Sequence, residues 1–590
     1  MSELHNRMRG HRVTRRSVAV VILGVVLSLL TACGGVPNSS SPQPISSFAR
    51  QGPSDAVPGP QADMDPEALV RAFLKATAAP ADGHAAARKF LTTSAAEQWD
   101  DRGAALILDE INTYVDQRSE NSVRMRLVGD NVGVLMSDGQ LTPATGRVET
   151  TVTLSKVGRQ WRIDGTLPER TMIDRTQFEI THRAVSAYFT DRTRSHLVPD
   201  PRWLYSGLDS DATTLVGVLL AGPAADLASA VDSALPTGAS LRGPVTPGAN
   251  GGVRIELIGI GNLSVRDRTV LAAQIIWTLN GADIGGPYVI NADGAPLLAD
   301  RASGWQTTDV RSFDPSVMPA TDVGLNVIRG GALLKVTDTG TVAVGGPLGT
   351  GRLVRSAALS ADGKRVAAVQ AGEGTDPRLN LTVGDYGAAT TPIASGLTVT
   401  RPSFGPDSDV VWAVVDGKPT QWIRDDETGE PRTIEIDPGQ VSALVRGSIT
   451  ELQVAPDGVR VGLIVGGQVV FAVLATNADG RLTLAHPRIA AYNIGSRAVS
   501  LDWASPTTLM IARESWDSPV VQLSINGTPA VGLLSGNVSP PVTAVVANPT
   551  TVYISDQRGV LRLGSSNGQA DEYWTEVEPA MTPGTIPVIP

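Results

Sequence analysis

The chain has 590 residues, a formal net charge of −10 and a single cysteine, Cys33. An acidic chain lacks the basic footprint that nucleic-acid binding requires, and one cysteine cannot form an internal disulfide. The length allows several domains of roughly 100–200 residues each, and 61 glycines and 40 prolines predict many tight turns.

The first 33 residues have the pattern of an export signal. Arg15-Arg16 precede the apolar run from Val18 to Leu30, and the small residues Thr31-Ala32 stand before Cys33. A basic start, an apolar segment of about 7–15 residues and a small-residue cleavage point describe a secretory signal. The apolar run is too short to cross a bilayer comfortably as a helix.

The sequence Leu-Thr-Ala-Cys at the end of this signal also matches a bacterial lipobox. In that motif the thiol is modified with diacylglycerol and the cysteine becomes the first mature residue; stable anchoring takes two acyl chains such as palmitate. We therefore predict a lipoprotein signal peptide over 1–32, lipidation of Cys33, and a lipid-anchored protein on the extracytoplasmic face of the cell membrane. The alternatives are an uncleaved anchor or an ordinary signal with an incidental cysteine, and the arginine pair leaves twin-arginine export open.

The part of the chain after the signal is more acidic than the whole. The signal carries five arginines and Glu3, a net +4, so the rest carries −14 (the −10 of the whole chain less +4). This acidic body is not expected to bind anionic lipid through its own surface. Residues 33–64 are rich in Pro, Ser and Gly and predict a flexible linker with a span of roughly 30 Å. No second apolar stretch reaches the about 18 residues of a membrane span.

Residues 65–175 predict a small α+β domain. Asp65-Pro66-Glu67 has the residues of a helix start, with an N-cap, a proline at the first position and an acid at the positive dipole end. Apolar residues alternate over 148–154 and again at Trp161 and Ile163, which predicts paired strands around a turn at 158–159. This order of elements resembles the nuclear-transport-factor-2-like fold, which implies a binding or scaffolding module.

Residues 176–305 predict a second α+β domain. A strand is expected at 185–189, followed by a break at 197–200, and a helix ends at Ala221-Gly222-Pro223. A strand at 253–257, a helix over 271–279 and a strand at 288–290 follow. This series of motifs resembles the GerMN domain of sporulation and germination proteins, which implies a fold and no established active site.

Residues 306–570 carry a repeat. The phrase Ser360-Ala361-Asp362-Gly363 returns in related form; the later copies are Gly405-Pro406-Asp407-Ser408, Ala455-Pro456-Asp457-Gly458, and the weaker Ser505-Pro506-Thr507 and Asn548-Pro549-Thr550. A period near 45 residues with four strands per unit is typical of a β-propeller blade.

We therefore predict an all-β propeller of five or six blades, similar to TolB-type propellers, with Asp314-Pro315 as an earlier, degenerate repeat. The alternative is a β-sandwich with chance turns. Residues 571–590 are assigned to a Pro-rich C-terminal tail that packs along the body or lies exposed.

The sequence offers little catalytic chemistry. His84, His182, His196 and His486 stand far apart and no second thiol is present, so we predict no metal site and no cofactor. Gly564-Ser565-Ser566-Asn567-Gly568 matches Gly-x-Ser-x-Gly, but a nucleophile elbow needs a strand before it and a helix after it. A blade hairpin fits this stretch better. We predict no catalytic residues and a protein that is not an enzyme.

Two further residue sets were weighed for function. The acidic pairs Asp100-Asp101 and Asp425-Asp426 predict solvated edges. Trp412 and Trp503 lie at strand periodicity and predict blade core, with a recognition surface as the alternative.

The order of lipobox, GerMN-like domain and propeller resembles the actinobacterial LpqB-type lipoproteins over nearly the whole mature chain. The resemblance implies an accessory of the MtrA–MtrB two-component system. Such a protein binds the extracytoplasmic domain of the MtrB-type sensor histidine kinase and modulates signalling toward the cell wall and division. The alternatives from the residues alone are an envelope glycan- or peptide-binding receptor, or a hydrolase acting through the propeller funnel.

Overall fold

The structure is a computed structural model that describes residues 59–590 except 169, 208–210, 318, 320, 426 and 567–568. Cys33, the signal peptide and most of the linker lie outside the described residues. The predicted layout of two α+β domains followed by an all-β propeller is confirmed. No helix in the described ranges is long and apolar enough to cross a membrane.

The N-terminal domain packs helices on one sheet. Asp65 caps the first helix, because its Oδ1 accepts the backbone N–H of Glu67 at 2.9 Å. The sheet has the strand order β5-β4-β2-β1-β6, with β3 beside β2. The elements are α1 (Pro66–Ala76), α2 (Ala81–Arg88), α3 (Thr93–Gln98), β1 (Ala105–Arg118), β2 (Ser122–Leu135), β3 (Leu141–Pro143), β4 (Arg147–Val157), β5 (Gln160–Asp164) and β6 (Met172–Asp174).

The apolar face of α1 forms the core of this domain. Leu69, Val70 and Phe73 recur at helical spacing and are buried against the sheet residues Met125 and Leu154. The alternation predicted for 148–163 is confirmed, since β4 and β5 pair around the turn at Gly158.

The second domain combines a hairpin, three helices and a mixed sheet. The hairpin is β7–β8, and the sheet has the order β10-β11-β12-β13 with β9 beside β11. Its elements are α4 (Arg175–Thr181), β7 (His182–Thr190), β8 (Leu197–Tyr205), α5 (Asp211–Ala221), β9 (Ser240–Leu241), β10 (Thr246–Pro247), β11 (Val253–Ile258), α6 (Val265–Asn280), β12 (Tyr288–Ala292) and β13 (Ala295–Pro296). Ser264 caps α6 by accepting the N–H of Asp267 at 3.1 Å.

The break expected at 197–200 is wrong. Leu197–Tyr205 is a strand that pairs with β7 along its whole length, with Tyr188 opposite Pro199 and Ser186 opposite Pro201. Every second residue of an edge strand directs its N–H away from the partner, so two prolines spaced by two are tolerated there.

The third domain is a propeller of six four-stranded blades within the described residues. The strands of blades 1 to 3 are β14 (Asn326–Arg329), β15 (Ala332–Thr337), β16 (Gly340–Ala343), β17 (Val354–Leu359), β18 (Arg365–Ala371), β19 (Leu379–Asp385), β20 (Thr390–Gly396), β21 (Ser403–Phe404), β22 (Val410–Val415), β23 (Lys418–Arg424) and β24 (Pro431–Glu435). Two short helices, α7 (Pro347–Thr350) and α8 (Gly439–Leu444), lie between blades.

Blades 4 to 6 follow with the same order. Their strands are β25 (Ile449–Val454), β26 (Arg460–Val465), β27 (Gln468–Thr476), β28 (Leu482–Ile489), β29 (Ala498–Ser505), β30 (Thr508–Arg513), β31 (Val520–Ser524), β32 (Val531–Gly532), β33 (Ala544–Asn548), β34 (Thr551–Ser555), β35 (Val560–Ser566) and β36 (Gln569–Ala570). Strand β37 (Thr575–Glu576) pairs with β35.

The repeated phrase of the sequence forms the turn between the first and second strands of blades 2 to 6. In blade 4 the Oδ1 of Asp457 accepts the N–H groups of Val459 and Arg460, both at 2.9 Å, and Gly458 adopts a φ of +73°. In blade 6 Asn548 accepts from Thr551 in the same way. A short side-chain acceptor and a residue that tolerates positive φ are what such a turn requires, which explains why the phrase recurs.

Blade 1 lacks this turn because its inner strand comes from the end of the chain. Strand β38 (Ile586–Val588) pairs with β14, and Asn326 lies opposite Val588. The expectation that Asp314-Pro315 is a sixth copy is therefore wrong; Asp314 instead ends a 3₁₀ helix at Thr307–Phe313. The stretch 571–590, assigned from the sequence to a C-terminal tail, contributes the strands β37 and β38 to the propeller.

Candidate functional site

The main candidate site is a chamber of about 370 Å³ at one mouth of the propeller funnel. Inner strands of all six blades line it, and the second domain covers part of it with His196 and the connector residues Arg311 and Asp314. We call this cavity the funnel chamber. Phe404 and Trp503 are among its lining residues, beside a small set of charged groups, the composition expected of a ligand pocket.

Arg401 crosses the funnel chamber from blade 3 to blades 4 and 5. Its Nε donates to Glu451 Oε1 at 2.7 Å, and its Nη2 donates to the carbonyl of Leu501 at 2.5 Å. Asp502 Oδ1 is 4.0 Å from the same Nη2. One guanidinium therefore faces two carboxylates and ties three blades together across the axis.

The two carboxylates are held in place by further hydrogen bonds. Glu451 Oε1 also accepts from Gln453 Nε2 at 3.2 Å, and Asp502 Oδ2 accepts the N–H of Ala547 at 3.0 Å. Burial raises the pKa of both carboxyl groups, and the charge of Arg401 opposes that rise. The cluster around Arg401 thus contains two carboxyl groups, those of Glu451 and Asp502, and one guanidinium group.

The hydroxyl group of Ser403, in the same chamber, forms hydrogen bonds with backbone groups. Ser403 Oγ accepts the N–H of Val454 at 2.9 Å and donates to the carbonyl of Phe404 at 3.2 Å. This arrangement joins blades 3 and 4. The chamber is suited to binding through charge, hydrogen bonds and aromatic contact.

Three charged residues of the chamber were missed by sequence reasoning. Arg401 and Glu451 each stand five residues before the proline of the repeated turn, at Pro406 and Pro456, and Asp502 stands four residues before Pro506. A bulge in β29 near Trp503 accounts for the one-residue shift. Aligning the repeats and looking for charge at the inner-strand position would have found all three.

A second cavity, of about 570 Å³, lies between the first and second domains. At one end His84 Nδ1 is 2.8 Å from Asp101 Oδ2, and Arg88 Nη2 is 2.9 Å from Asp101 Oδ1. These partners lower the pKa of Asp101 although burial opposes them. His182 lines the same cavity, stacked on Phe178 at 4.9 Å between ring centroids.

The predicted site residues are found in separate places. Trp412 and Trp503 are buried in the blades, as predicted. The prediction of a solvated edge is wrong for Asp101, whose side chain is 9% exposed and contacts His84 and Arg88. The neighbouring Asp100 is exposed. Of the histidines, His84 and His182 share the interdomain cavity, His196 lines the funnel chamber, and His486 lies on β28.

Two further sequence motifs have structural settings. The segment around Ser566 is a strand hairpin, since Ser565 pairs with Ala570 and Ser566 with Gln569. Asp425 accepts hydrogen bonds from the backbone of Thr428 and Glu427 in a turn. Among the residues that the structure describes, no group of three His, Cys, Asp or Glu could hold a metal ion.

The three domains meet at one junction. The backbone N–H of Trp203 in β8 donates to the carbonyl of Gly139 in the first domain at 2.7 Å. Its side-chain Nε1 donates to the carbonyl of Asn526 in blade 5 at 2.9 Å. Gln140 Nε2 donates to Asp226 Oδ1 at 2.8 Å, and Arg488 of blade 4 lies 4.0 Å from Asp226. These contacts join all three domains.

Together these features define a multi-domain β-propeller protein whose cavities and junctions suit recognition. Family models match along the chain: the N-terminal domain of lipoprotein LpqB over 59–179, a sporulation and spore germination domain over 186–298, and the lipoprotein LpqB β-propeller domain over 331–590.

Curated relatives match over nearly the whole length. The chain is 38% identical to lipoprotein LpqB of Rhodococcus opacus over 587 residues, which covers 98% of each protein. It is 39% identical to lipoprotein LpqB of Mycobacterium leprae over 595 residues, with 98% of this chain and 100% of that protein covered. The chain belongs to the LpqB lipoprotein family.

Solved structures match the chain only in part. The β-propeller domain of Cps50 (Swd1) from Myceliophteria thermophila aligns with 40% of this chain and 96% of its own, at 11% identity and a TM-score of 0.27. AztD from Citrobacter koseri aligns with 38% of this chain and 60% of its own, at 11% identity and a TM-score of 0.25.

Proposed function

We propose that this protein is a lipid-anchored extracytoplasmic lipoprotein that binds the extracytoplasmic domain of an MtrB-type sensor histidine kinase and modulates its signalling. The observation that carries the proposal is membership in the LpqB lipoprotein family over nearly the full chain. The junction at Trp203 and Asp226 supports it, because domains held in a constant arrangement present one composite surface to a partner.

Binding to the kinase domain is tested by isothermal titration of the purified chain with that domain. We expect saturable association at micromolar concentration, the range of a transient signalling contact. An unrelated extracytoplasmic sensor domain serves as the matched control. No heat of association at tens of micromolar would refute the proposal.

Anchoring depends on Cys33, which lies outside the described residues. Replacing Cys33 with serine removes the acylated thiol and with it the acyl chains on which stable membrane anchoring depends. We expect Cys33→Ser to abolish incorporation of labelled palmitate and to release the protein from the membrane fraction. Retention of the variant in the detergent phase would show that another segment anchors the chain.

A second candidate function is that of an envelope receptor for a glycan or peptide ligand. The funnel chamber favours it, because Arg401 and Asp502 line a cavity of about 370 Å³ together with Phe404 and Trp503, and Glu451 pairs with Arg401. Thermal stabilisation by purified muropeptides, lost in Asp502→Asn, would support this function. Absence of any stabilisation across muropeptides and wall glycans would count against it.

The hydrolase alternative has a direct test at Ser566. A serine-reactive activity probe should leave the protein unlabelled, because the hairpin at 565–570 does not lead into the helix that a nucleophile elbow requires. Labelling that is lost in Ser566→Ala would establish hydrolase chemistry and weaken the first proposal.

A further inference from the structure

Blades 5 and 6 expose a patch of large apolar side chains. Trp516 is 78% exposed, Tyr573 69%, Val531 66% and Leu534 64%. Trp516 lies between β30 and β31, Val531 on the edge strand β32, Leu534 just after it, and Tyr573 just before β37. Exposed aromatic groups of this kind are the side chains that most often anchor protein interfaces.

The three segments that carry the patch are tied to one another. Ser535 Oγ donates to the carbonyl of Asp517 at 3.3 Å, which joins the Trp516 loop to the Leu534 segment. Trp574 is buried and its Nε1 donates to the carbonyl of Leu534 at 2.7 Å, while Asn537 Nδ2 donates to the carbonyl of Trp574 at 2.6 Å. The exposed side chains therefore stand on one platform of fixed backbone, which lowers the entropy lost on binding.

The charged residues on the three segments themselves are all acidic, and the adjacent Arg558, whose Nη2 donates to the carbonyl of Asn537 at 2.8 Å, is paired with Asp556 and Glu576. The segments 514–518, 531–537 and 571–574 contain Glu514, Asp517, Asp571 and Glu572 and no lysine or arginine. All four acids are exposed. We call the four apolar and four acidic residues together the aromatic–acidic patch.

The patch could be covered by a membrane, by a second copy of the chain or by a different protein. Its acidic charge excludes the first two. An anionic bilayer would repel four carboxylates, and a bilayer attracts segments rich in Lys and Arg instead. A second copy of the chain bound through the same face would place four acids against four acids, since a two-fold interface pairs a surface with itself. A partner with an apolar surface and a basic rim matches both the shape and the charge.

We propose that the aromatic–acidic patch is the docking surface for a partner protein whose contact face carries apolar side chains surrounded by lysine and arginine. The proposal names the binding surface for the partner of the proposed function and rests on it. Trp516 and Tyr573 are the anchors of the interface, and the four acids orient and attract the basic face.

Direct contact is tested in cells with the full chain. A photo-crosslinking p-benzoyl-phenylalanine is placed at position 516 or 573 and, as the matched control, at position 397, where Leu397 is exposed on blade 2. We expect an adduct at 516 and 573 and not at 397, joined to a polypeptide segment that mass spectrometry shows to contain lysine or arginine. Adducts only with lipid or with the chain itself, or no position-specific adduct, would overturn the proposal.

The contribution of the patch residues to binding affinity is measured with the kinase domain as the probe. The full-chain variants are Trp516→Ala with Tyr573→Ala, Asp517→Lys with Glu572→Lys, and the control Val265→Ala with Leu397→Ala. We expect the first two to weaken binding by about tenfold or more and the control to leave it within about twofold. Added salt should weaken the unmodified chain and not the Lys variant.

The outcomes separate this proposal from the proposed function. Kinase binding that is unchanged by the patch variants overturns the patch and leaves the function intact. An adduct at 516 and 573 with a different envelope protein, together with no kinase binding, overturns the function and leaves the patch as a docking surface.

Discussion

The side chain of Arg401 joins three blades of the propeller. It leaves blade 3, pairs with Glu451 of blade 4 and reaches the backbone of Leu501 in blade 5. A buried guanidinium is tolerated only where its donors are satisfied and its charge is balanced. Glu451 and Asp502 supply that balance.

Replacing Arg401 with methionine should destabilise the propeller by about 3–5 kcal/mol, because Glu451 is left buried and unpaired. The double variant Arg401→Met with Glu451→Leu should recover a large part of that loss. Urea unfolding measures both. The control is Lys418→Met, whose exposed pair with Glu435 at 3.5 Å is worth at most about 1 kcal/mol; equal losses in Arg401→Met and Lys418→Met would contradict the assigned role.

His182 is the residue for which the structure predicts a pH effect. Burial lowers its pKa from an ordinary 6.5 to about 4. In the unfolded chain the imidazole binds a proton at higher pH than in the folded chain, so its contribution to stability is complete above pH 6.5 and falls by roughly 1.4 kcal/mol per pH unit down to about pH 4. His182→Gln should remove this slope.

The measurement is the free energy of unfolding of the unmodified chain and the variant between pH 7 and pH 4. The difference between the two should shrink as the pH falls, because only the unmodified chain must leave a buried imidazole uncharged. His486→Gln, at an exposed position of β28, is the control. A constant difference between the unmodified chain and His182→Gln would refute the assignment.

At the scale of elements, the closure of the ring depends on a strand of three residues. Strand β38 lies at the inner edge of blade 1, beside β14, and Val588 is buried. The side chain of Ser555 in blade 6 donates to the carbonyl of Thr585 at 2.7 Å, which fixes the approach of this strand. Hydrogen bonds between strands stay within each blade. The pairing of β38 with β14 is therefore what links the end of the chain to blade 1.

Placing a carboxylate at this strand should open the ring. Val588→Asp puts an unpaired acid among apolar side chains, at a cost of several kcal/mol. We expect a lower melting temperature and a broader transition by circular dichroism. Val342→Asp, on the exposed outer strand β16 of the same blade, is the matched control and should change stability by about 0.5 kcal/mol or less; equal effects of the two substitutions would contradict the closure by β38.

At the scale of the whole molecule, apolar packing and a few specific contacts join the second domain to its neighbours. Val473, Ala475 and Ala485 of blade 4 belong to the same buried cluster as the core of the second domain. Trp203 packs on Phe178 at 4.7 Å between ring centroids and donates to Asn526 across the domain boundary. Gly527 approaches the backbone of Leu141 so closely that a Cβ at this position would clash with its carbonyl oxygen. The junction at Trp203 is therefore closely packed and specific.

Removing the indole of Trp203 should loosen the domains without unfolding them. Trp203→Ala is expected to cost roughly 2–3 kcal/mol, below the range of a fully buried tryptophan, and to raise the radius of gyration measured by X-ray scattering. Proteolysis in the connector between the second domain and the propeller, which includes Asp314 and Pro315, should become faster. Trp516→Ala, at an exposed site, should leave both measurements unchanged, and a scattering profile identical to that of the unmodified chain would rule out the role of Trp203.

Local patterns predicted most of the elements of this protein. The helix start at Asp65, the alternating strands at 148–163 and the Asp-Gly turns each depend on a few neighbouring residues, so they are visible without a fold. The strand at Leu197–Tyr205 was missed because its prolines disfavour a strand by local rules, and only the partner strand β7 shows that their positions are harmless.

What the sequence by itself determined is the order of modules, the blade repeat and the likeness to the LpqB lipoproteins, because these are carried by spacing along the chain. Only the tertiary structure decided that β38 closes the ring, that Arg401, Glu451 and Asp502 meet across the funnel, and that three distant segments form the aromatic–acidic patch. These features join residues separated by 18 to more than 250 positions, and contact at such separations is set by the packing of the blades and the closure of the propeller.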